Sequence, residues 1–274
     1  LDRRQIYRRR RLAVFGAIAL VVAVGLYLPL TLLAPIAYAD QTVTKVVVPT
    51  SASASITWPA FGASAFGVLG EPGVAGSSGS TTPLPIASIS KIVTALVTLE
   101  AKPLKPGEDG PTITFSAADH ALYSKYVKLQ GTVAPMATGS SMTEHEVMQV
   151  ALIASANNYA EALADWAFGS EAAFVAATKT WLAAHHLDST TLVEPTGINP
   201  ANVSTATDLV KLGTLALADP IVSDIVDTPT LTLPGVGTVK DTNKLLGKEG
   251  VFGIKTGTLV PAGSNLLFAA HYTV

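Results

Sequence analysis

The sequence predicts an α/β domain: strands from both ends of the chain form a sheet flanked by helices, with an all-helical insert between them. One membrane-spanning helix precedes it. Three observations lead there. Short runs of strand character open and close the region after Trp58, capped helical patterns fill its middle, and an uncharged stretch follows a basic start. A chain of 274 residues suffices for one large domain or two small ones.

The first eleven residues, LDRRQIYRRRR, hold six arginines, and no charge occurs from Leu12 to Ala39. Leu12–Ala34 as helix would run about 35 Å, enough to cross the hydrocarbon layer. Arginines before the span place residues 1–11 in the cytoplasm and the remainder outside. Residues 12–36 are therefore expected to be a retained anchor in a single-pass cell-membrane protein, with its large domain extracellular. The rival is a cleavable signal, because Ala37-Tyr38-Ala39 before Asp40 has the form of a cleavage site; cleavage there would leave a secreted protein. Residues 37–57, rich in Ser, Thr, Ala and Val, read as a linker.

The domain is expected to span residues 58–274. Ser64–Gly70 and Gly73–Gly76 read as short strands around the Glu71-Pro72 turn, followed by a loop to Pro85. Ser88–Glu100 is a helix that Pro103 ends. Ile113–Phe115 reads as strand and Ala117–Leu129 as helix. Thr143-Glu144-His145-Glu146 is a capping box for a helix to Ala154. Helices follow over Asn158–Phe168, over Glu171–His186 with Ser170 as cap, and over Ala206–Ala218 with Thr205 as cap. Thr230–Leu233, Gly250–Thr256 and Asn265–Tyr272 return to strand. Leu1 in place of Met, and an end at Val274 inside an apolar run, give the expectation of a fragment cut at both ends, its domain incomplete at the C-terminus.

Composition excludes several classes. A hydrophobic fraction of 49% with 14% charged residues excludes disorder, and a net charge of −2 gives no reason to expect nucleic acid. The absence of cysteine excludes disulfides and thiolate chemistry. Scattered histidines predict no metal site: His145-Glu146 opens like a zinc-protease helix, but Gln149 stands where the second His belongs. With no Walker loop or dinucleotide fingerprint, no cofactor is expected.

Three short motifs carry chemistry. Ser88-Ile89-Ser90-Lys91 at a helix start puts the Ser88 hydroxyl on one face with the Lys91 amine. A serine hydroxyl is a poor nucleophile until a neighbour takes its proton, and a lysine can do so only when neutral, which burial and nearby positive charge favour. Ser88 is the only serine with a lysine three places on; alone, the pattern reads first as an amphipathic helix with a capping serine. Ser155-Ala156-Asn157, between two helices, can relay a proton and hold a peptide carbonyl, or is a plain polar turn. Lys255-Thr256-Gly257 on the late strand would grip a carboxylate and let a substrate backbone lie against the edge, or is a strand ending in a polar turn.

Together, in this order, the motifs form the set found in penicillin-binding proteins and class A β-lactamases. The segments PIASISKIVTALVTLE (85–100), ALIASANNYAEALADW (151–166), EPTGINPANVSTATDLVKLG (194–213) and GVFGIKTGTLVPAGSNLLFAA (250–270) resemble D-alanyl-D-alanine carboxypeptidases, the low-molecular-weight penicillin-binding proteins of the S11 peptidase family. The resemblance runs from about Trp58 to the end. It implies a β-lactamase/transpeptidase-like sheet domain whose sheet continues past the last strand seen here. It implies Ser88 as acylated nucleophile and Lys91 as its base. Ser155 and Asn157 would support proton transfer and substrate binding. Lys255, Thr256 and Gly257 would bind substrate, and the N–H groups of Ser88 and Thr258 would form an oxyanion hole. The implied substrate is a peptidoglycan stem peptide, and β-lactams would be covalent inhibitors.

Two alternatives stay in view: a β-lactamase, and a non-catalytic scaffold that binds wall peptides. For a lactamase, Glu194 lies in the interval where the deacylating glutamate belongs. In the lactamase loop, Glu-Pro-x-x-Asn, the asparagine would fall one residue earlier than Asn199. Glu194-Pro195-Thr196-Gly197-Ile198 fits the carboxypeptidase pattern instead. Glu161, Asp165 and Asp208 read as helix-surface or capping residues, and Trp166, Phe168 and Phe174 as core of the insert.

Overall fold

The computed structural model describes residues 3–32, 56–71 and 73–271. They fall in two units, divided between Ser55 and Ile56.

The first unit contains one helix, α1 (Arg3–Leu32), exposed along its length and with a mean hydropathy of 2.4 over its most apolar window. Thirty residues at 1.5 Å each give about 45 Å, longer than a hydrocarbon layer. Pro29 sits inside it, where Thr31 Oγ1 donates to the Tyr27 carbonyl. The expected cleavage site at Ala39/Asp40, and nearly all of the expected linker, lie outside the described residues.

The second unit is mixed helix and strand, the class the sequence predicts. Its elements are β1 (Ala63–Phe66), β2 (Gly76–Gly79), β3 (Leu84–Pro85), a 3-10 turn (Ala87–Ile89), α2 (Ser90–Ala101), β4 (Thr112–Thr114), α3 (Ala117–Lys128), β5 (Ser141–Thr143), α4 (Glu144–Ile153), α5 (Asn157–Phe168) and α6 (Glu171–Ala184). Then come β6 (Val203–Ser204), α7 (Ala206–Ala218), α8 (Pro220–Val226), β7 (Thr230–Leu233), β8 (Gly237–Lys240), β9 (Val251–Leu259) and β10 (Gly263–Ala270).

α2 is the centre of the core. Every residue from Ser90 to Leu99 is buried, so the helix is covered on all sides rather than on one stripe. It packs against α4, α5, α6, α7 and α8. Side chains such as Ile92, Val93, Val147, Met148 and Leu163 fill the space between them, each contributing roughly 1.5–3 kcal/mol by leaving water. The predicted capping box of α4 forms: Thr143 Oγ1 accepts from Glu146 N, and Glu146 Oε2 accepts from Thr143 N.

The structure differs from the sequence reading in several places. The second strand of the N-terminal hairpin is Gly76–Gly79 rather than Gly73–Gly76, pairing Ala63 with Gly79 and Phe66 with Gly76. The turn before it is wider, and Gly76 must lie under the rings of Phe66 and Trp58, where a side chain would not fit. The ladders are two-stranded, β1 with β2 and β9 with β10, and α7 packs on both β1 and β10. Gly213 of α7 permits that close approach: a Cβ there would lie 3.2 Å from the Leu267 side chain. α8, β3, β5, β6 and β8 have no counterpart in the sequence reading. Glu161 and Asp208 are not surface residues but buried and bonded. Asp208 accepts from Ser189 N, Thr190 Oγ1 and Lys211 Nζ, tying α7 to the preceding loop.

Candidate active site

Ser88 lies in the 3-10 turn, one residue after Ala87, whose φ is +47°. A non-glycine residue in that region is held there only by its surroundings. The surroundings are specific. Ile86 N donates to the Asn202 carbonyl, Ser90 Oγ donates to the Ala87 carbonyl, and two glycines press on the turn from either side. A Cβ on Gly197 would sit 1.9 Å from Ala87 O, and one on Gly257 would sit 2.8 Å from Ile86 O and 3.0 Å from Ser88 N.

Lys91, one turn on, is 1% exposed. Its Nζ is 2.9 Å from Ser88 Oγ, 2.6 Å from Asn157 Oδ1 and 2.7 Å from the Thr196 carbonyl. The last two partners are carbonyl oxygens and can only accept. Ser88 Oγ is the one partner that can also donate. Burial pushes the Lys91 pKa well below the ordinary lysine value. The charge of Lys255 pushes it down further, and Glu194 pulls it back up.

Asn157 begins α5, and its backbone N–H donates to the Thr132 carbonyl. Ser155, two residues before it, is 5% exposed and has a φ of +56°. The next residue, Asn158, bonds Ala134 through both its amide groups and fastens the neighbouring 131–136 segment to α5.

Lys255 is buried on β9. Its pKa is lowered to about 8 by burial, against the opposing pull of Asp241. Its Nζ is 3.4 Å from Thr242 Oγ1, which in turn is 2.6 Å from Thr256 Oγ1. Thr258, just beyond Gly257, is exposed.

The structure thus joins Ser88, Lys91 and Asn157 by direct contacts. Lys255 acts on this group through its charge, and Gly257 lies against the Ser88 backbone. The arrangement offers a hydroxyl facing a buried amine whose burial favours the neutral form, with a second lysine available to hold an anion. A groove of about 410 Å³ lined by Leu96, Leu99, Trp181 and Leu215 lies elsewhere and includes none of these residues.

Sequence reasoning missed several supporting groups. Thr196 reaches Lys91 through its backbone carbonyl, which no side-chain pattern reports. Asp241 and Thr242, in the loop after β8, face Lys255. Buried Tyr126 donates to Glu161 Oε2, and Lys125 Nζ binds the same carboxylate. Burial and that anion together raise the Tyr126 pKa far above its ordinary value.

Comparison with known proteins agrees on one family, whose members carry different D-alanyl-D-alanine peptidase names. A family model described as D-alanyl-D-alanine carboxypeptidase (peptidase S11) matches residues 74–273. A D-alanyl-D-alanine endopeptidase of Pseudomonas aeruginosa is 33% identical over 150 residues, 55% of this chain and 45% of that protein. One from Escherichia coli is 30% identical over 174 residues, 60% of this chain and 52% of that protein. The chain therefore spans about half the length of the curated relatives it matches. Among solved structures, a Streptomyces DD-transpeptidase superposes with a TM-score of 0.69 at 26% identity, covering 79% of this chain and 88% of the other. A D-alanyl-D-alanine carboxypeptidase from Mycobacterium tuberculosis gives 0.65 at 25% identity, over 77% and 79%.

Proposed function

Because the chain belongs to the S11 peptidase family of D-alanyl-D-alanine carboxypeptidases, we propose that it removes the terminal D-alanine from peptidoglycan stem peptides through an acyl-enzyme on Ser88. The observation that carries this reading is the three-way environment of Lys91 Nζ. A neutral amine has two hydrogens and one lone pair. Asn157 Oδ1 and the Thr196 carbonyl can only take the hydrogens, so the lone pair is left for Ser88 Oγ, the single partner with a proton to give. Ser88 O–H then donates to Lys91 as Oγ bonds the penultimate D-Ala carbonyl carbon.

The N–H groups of Ser88 and Thr258 are proposed to receive the developing oxyanion. Lys255 and Thr256 bind the terminal carboxylate, and Gly257 admits the substrate backbone. When the C–N bond breaks, the proton held by Lys91 passes by way of Ser155 to the leaving D-Ala nitrogen. A water then adds to the ester carbon, its proton taken by the same lysine, and Ser88 Oγ departs protonated. β-Lactams would acylate Ser88 by the same steps, the broken amide being that of the ring.

The named relatives support a second reading. In an endopeptidase the leaving amine belongs to a neighbouring stem peptide, and the acyl half of the reaction is unchanged. The lactamase alternative is less well supported. The Glu194 carboxylate already accepts from Thr196 N and Oγ1, Gly197 N, Asn199 N and Asn202 Nδ2, which leaves little of it for a water. The contact between Ser88 and Lys91 argues against a scaffold, which has no use for a buried amine.

The length and hydropathy of α1 support a single-pass protein in which residues 1–11 are cytoplasmic, 12–36 span the membrane, 37–57 link, and 58–274 form the catalytic domain outside. Fractionation with membranes is expected; a mature N-terminus at Asp40 in a soluble fraction would contradict it. The activity test is D-alanine release from a diacyl-Lys-D-Ala-D-Ala tripeptide, beside cleavage of a cross-linked dimer and hydrolysis of penicillin. The reading predicts D-alanine release and a long-lived penicilloyl adduct. Cleavage of the dimer alone would favour the endopeptidase, and rapid penicillin turnover without D-alanine release the lactamase.

A further inference from the structure

We infer that Glu194 is a positioning residue: its carboxylate gathers the 194–202 loop so that the Thr196 carbonyl is held on Lys91 and the Gly197 backbone on Ser88. The inference rests on the serine–lysine reading above and extends it to a group outside the three motifs.

The geometry is that of a clamp. Glu194 Oε2 accepts from Thr196 N and Thr196 Oγ1, both at 2.7 Å, which fixes the residue whose carbonyl meets Lys91 Nζ. Glu194 Oε1 accepts from Gly197 N at 2.7 Å, which fixes the glycine seated on Ala87 and Ser88. Asn202 closes the clamp. Its Nδ2 reaches Glu194 Oε1, the Glu194 carbonyl and Ser90 Oγ, and Ser90 Oγ donates to the Ala87 carbonyl. Thr94 of α2 holds the Pro195 carbonyl from the other side. Glu194 is 7% exposed, so its charge is felt inside the site.

The charged and titratable neighbours are few. Lys91 and Lys255 lie on the catalytic side, with Asp241 beyond Lys255. Tyr126 also feels the Glu194 charge; it is bonded to Glu161, which Lys125 holds as well. In this setting the Glu194 anion has a second effect, since it opposes the loss of a proton from Lys91. Removing the anion therefore loosens the loop and also makes Lys91 easier to deprotonate. A purely structural residue would do only the first.

The test is the pH profile of the second-order acylation of Ser88 by a fluorescent penicillin, in the parent, Glu194→Gln, Glu194→Asp and Asn202→Ala. Glu194→Gln is expected to slow acylation by about tenfold or more, as for lost hydrogen bonds to a charged group, and to move the acidic limb to lower pH. Asn202→Ala and Glu194→Asp keep the anion; both should slow acylation with the limb in place. Acylation of all three variants within about twofold of the parent, with an unmoved limb, would overturn the inference. So would Glu194→Gln that acylates normally and stalls only at deacylation. If Glu194→Gln does not accumulate as folded protein, the other two variants decide, and parent-like rates in both overturn the inference. A parent that is not labelled on Ser88 refutes the serine–lysine reading itself; a labelled parent with indifferent variants refutes only the role of Glu194.

Discussion

Gly197→Ala should displace the nucleophile without changing any residue of the three motifs. The added Cβ would lie 1.9 Å from Ala87 O, 2.3 Å from Ala87 C and 2.9 Å from Ser88 N. Carbon and carbonyl oxygen ordinarily stay about 3.3 Å apart, so one of the two backbones must move by more than about 1 Å. Neither can rotate away as a flexible side chain would. At φ +84° the alanine also carries left-handed strain of about 1–2 kcal/mol. Overpacking adds about 1–3 kcal/mol. The sum, about 2–5 kcal/mol, corresponds to a fall in Tm of roughly 4–20 °C for a domain of this size. A shift of about 1 Å in a reacting group costs about a hundredfold in rate. Gly139→Ala is the matched control. Its φ is +81° and nothing lies within 4 Å of the added Cβ, so it bears the strain alone. The assay is thermal unfolding together with the rate of acylation by a fluorescent penicillin. If the two variants lose the same stability and both acylate like the parent, the close packing of the 194–202 loop on Ser88 is not what holds the nucleophile.

Three further outcomes are expected. Lys91→Ala should cut acylation at least about a hundredfold, the low end for loss of a general base; near-parent rates in stopped-flow would make Lys91 structural. The kcat/KM for the tripeptide should be bell-shaped in pH. Activity rises as Lys91 loses its proton, at a pH well below the ordinary lysine range, and falls as Lys255 loses the charge that binds the carboxylate, near pH 8. A profile still rising at pH 10 would contradict the roles given to the two lysines. Tyr126→Phe removes a buried donor to Glu161 and should lower the unfolding free energy by about 1–3 kcal/mol in urea titrations; a change below about 0.5 kcal/mol would mean that Lys125 alone satisfies that carboxylate.

The elements legible in the sequence were those with local signals. The α4 capping box and the Ser170 and Thr205 caps each lie within a few residues, and each forms. The helix expected from Ser88 instead starts at Ser90, with Ser88 in the preceding 3-10 turn and no side-chain cap. α8 also has a local signal in the sequence: Asp219 caps it and Pro220 follows at its first position. The β7–β8 hairpin likewise turns at Pro234-Gly235. β5 has three residues and pairs with β4 across α3 and the segment that follows it, so no period could reveal it. In the site, the trio of motifs named the side chains proposed to react, because a three-residue spacing across the 3-10 turn into α2 brings Ser88 to Lys91. The groups that hold them were illegible for a physical reason. Thr196 contributes a carbonyl that every residue possesses. Glu194 contributes a carboxylate whose partners are mostly backbone N–H groups of its own loop. Glu161 looked like a surface residue because its cation, Lys125, and its phenol, Tyr126, come from another helix.

The central claim is that Ser88 is the group acylated, and the direct measurement is mass spectrometry of the protein after incubation with a fluorescent penicillin. One penicilloyl adduct is predicted, on the peptide containing Ser88, and Ser88→Ala should abolish it while the protein stays folded by circular dichroism. A label of full intensity in Ser88→Ala, or an adduct mapped to another residue, would contradict the account.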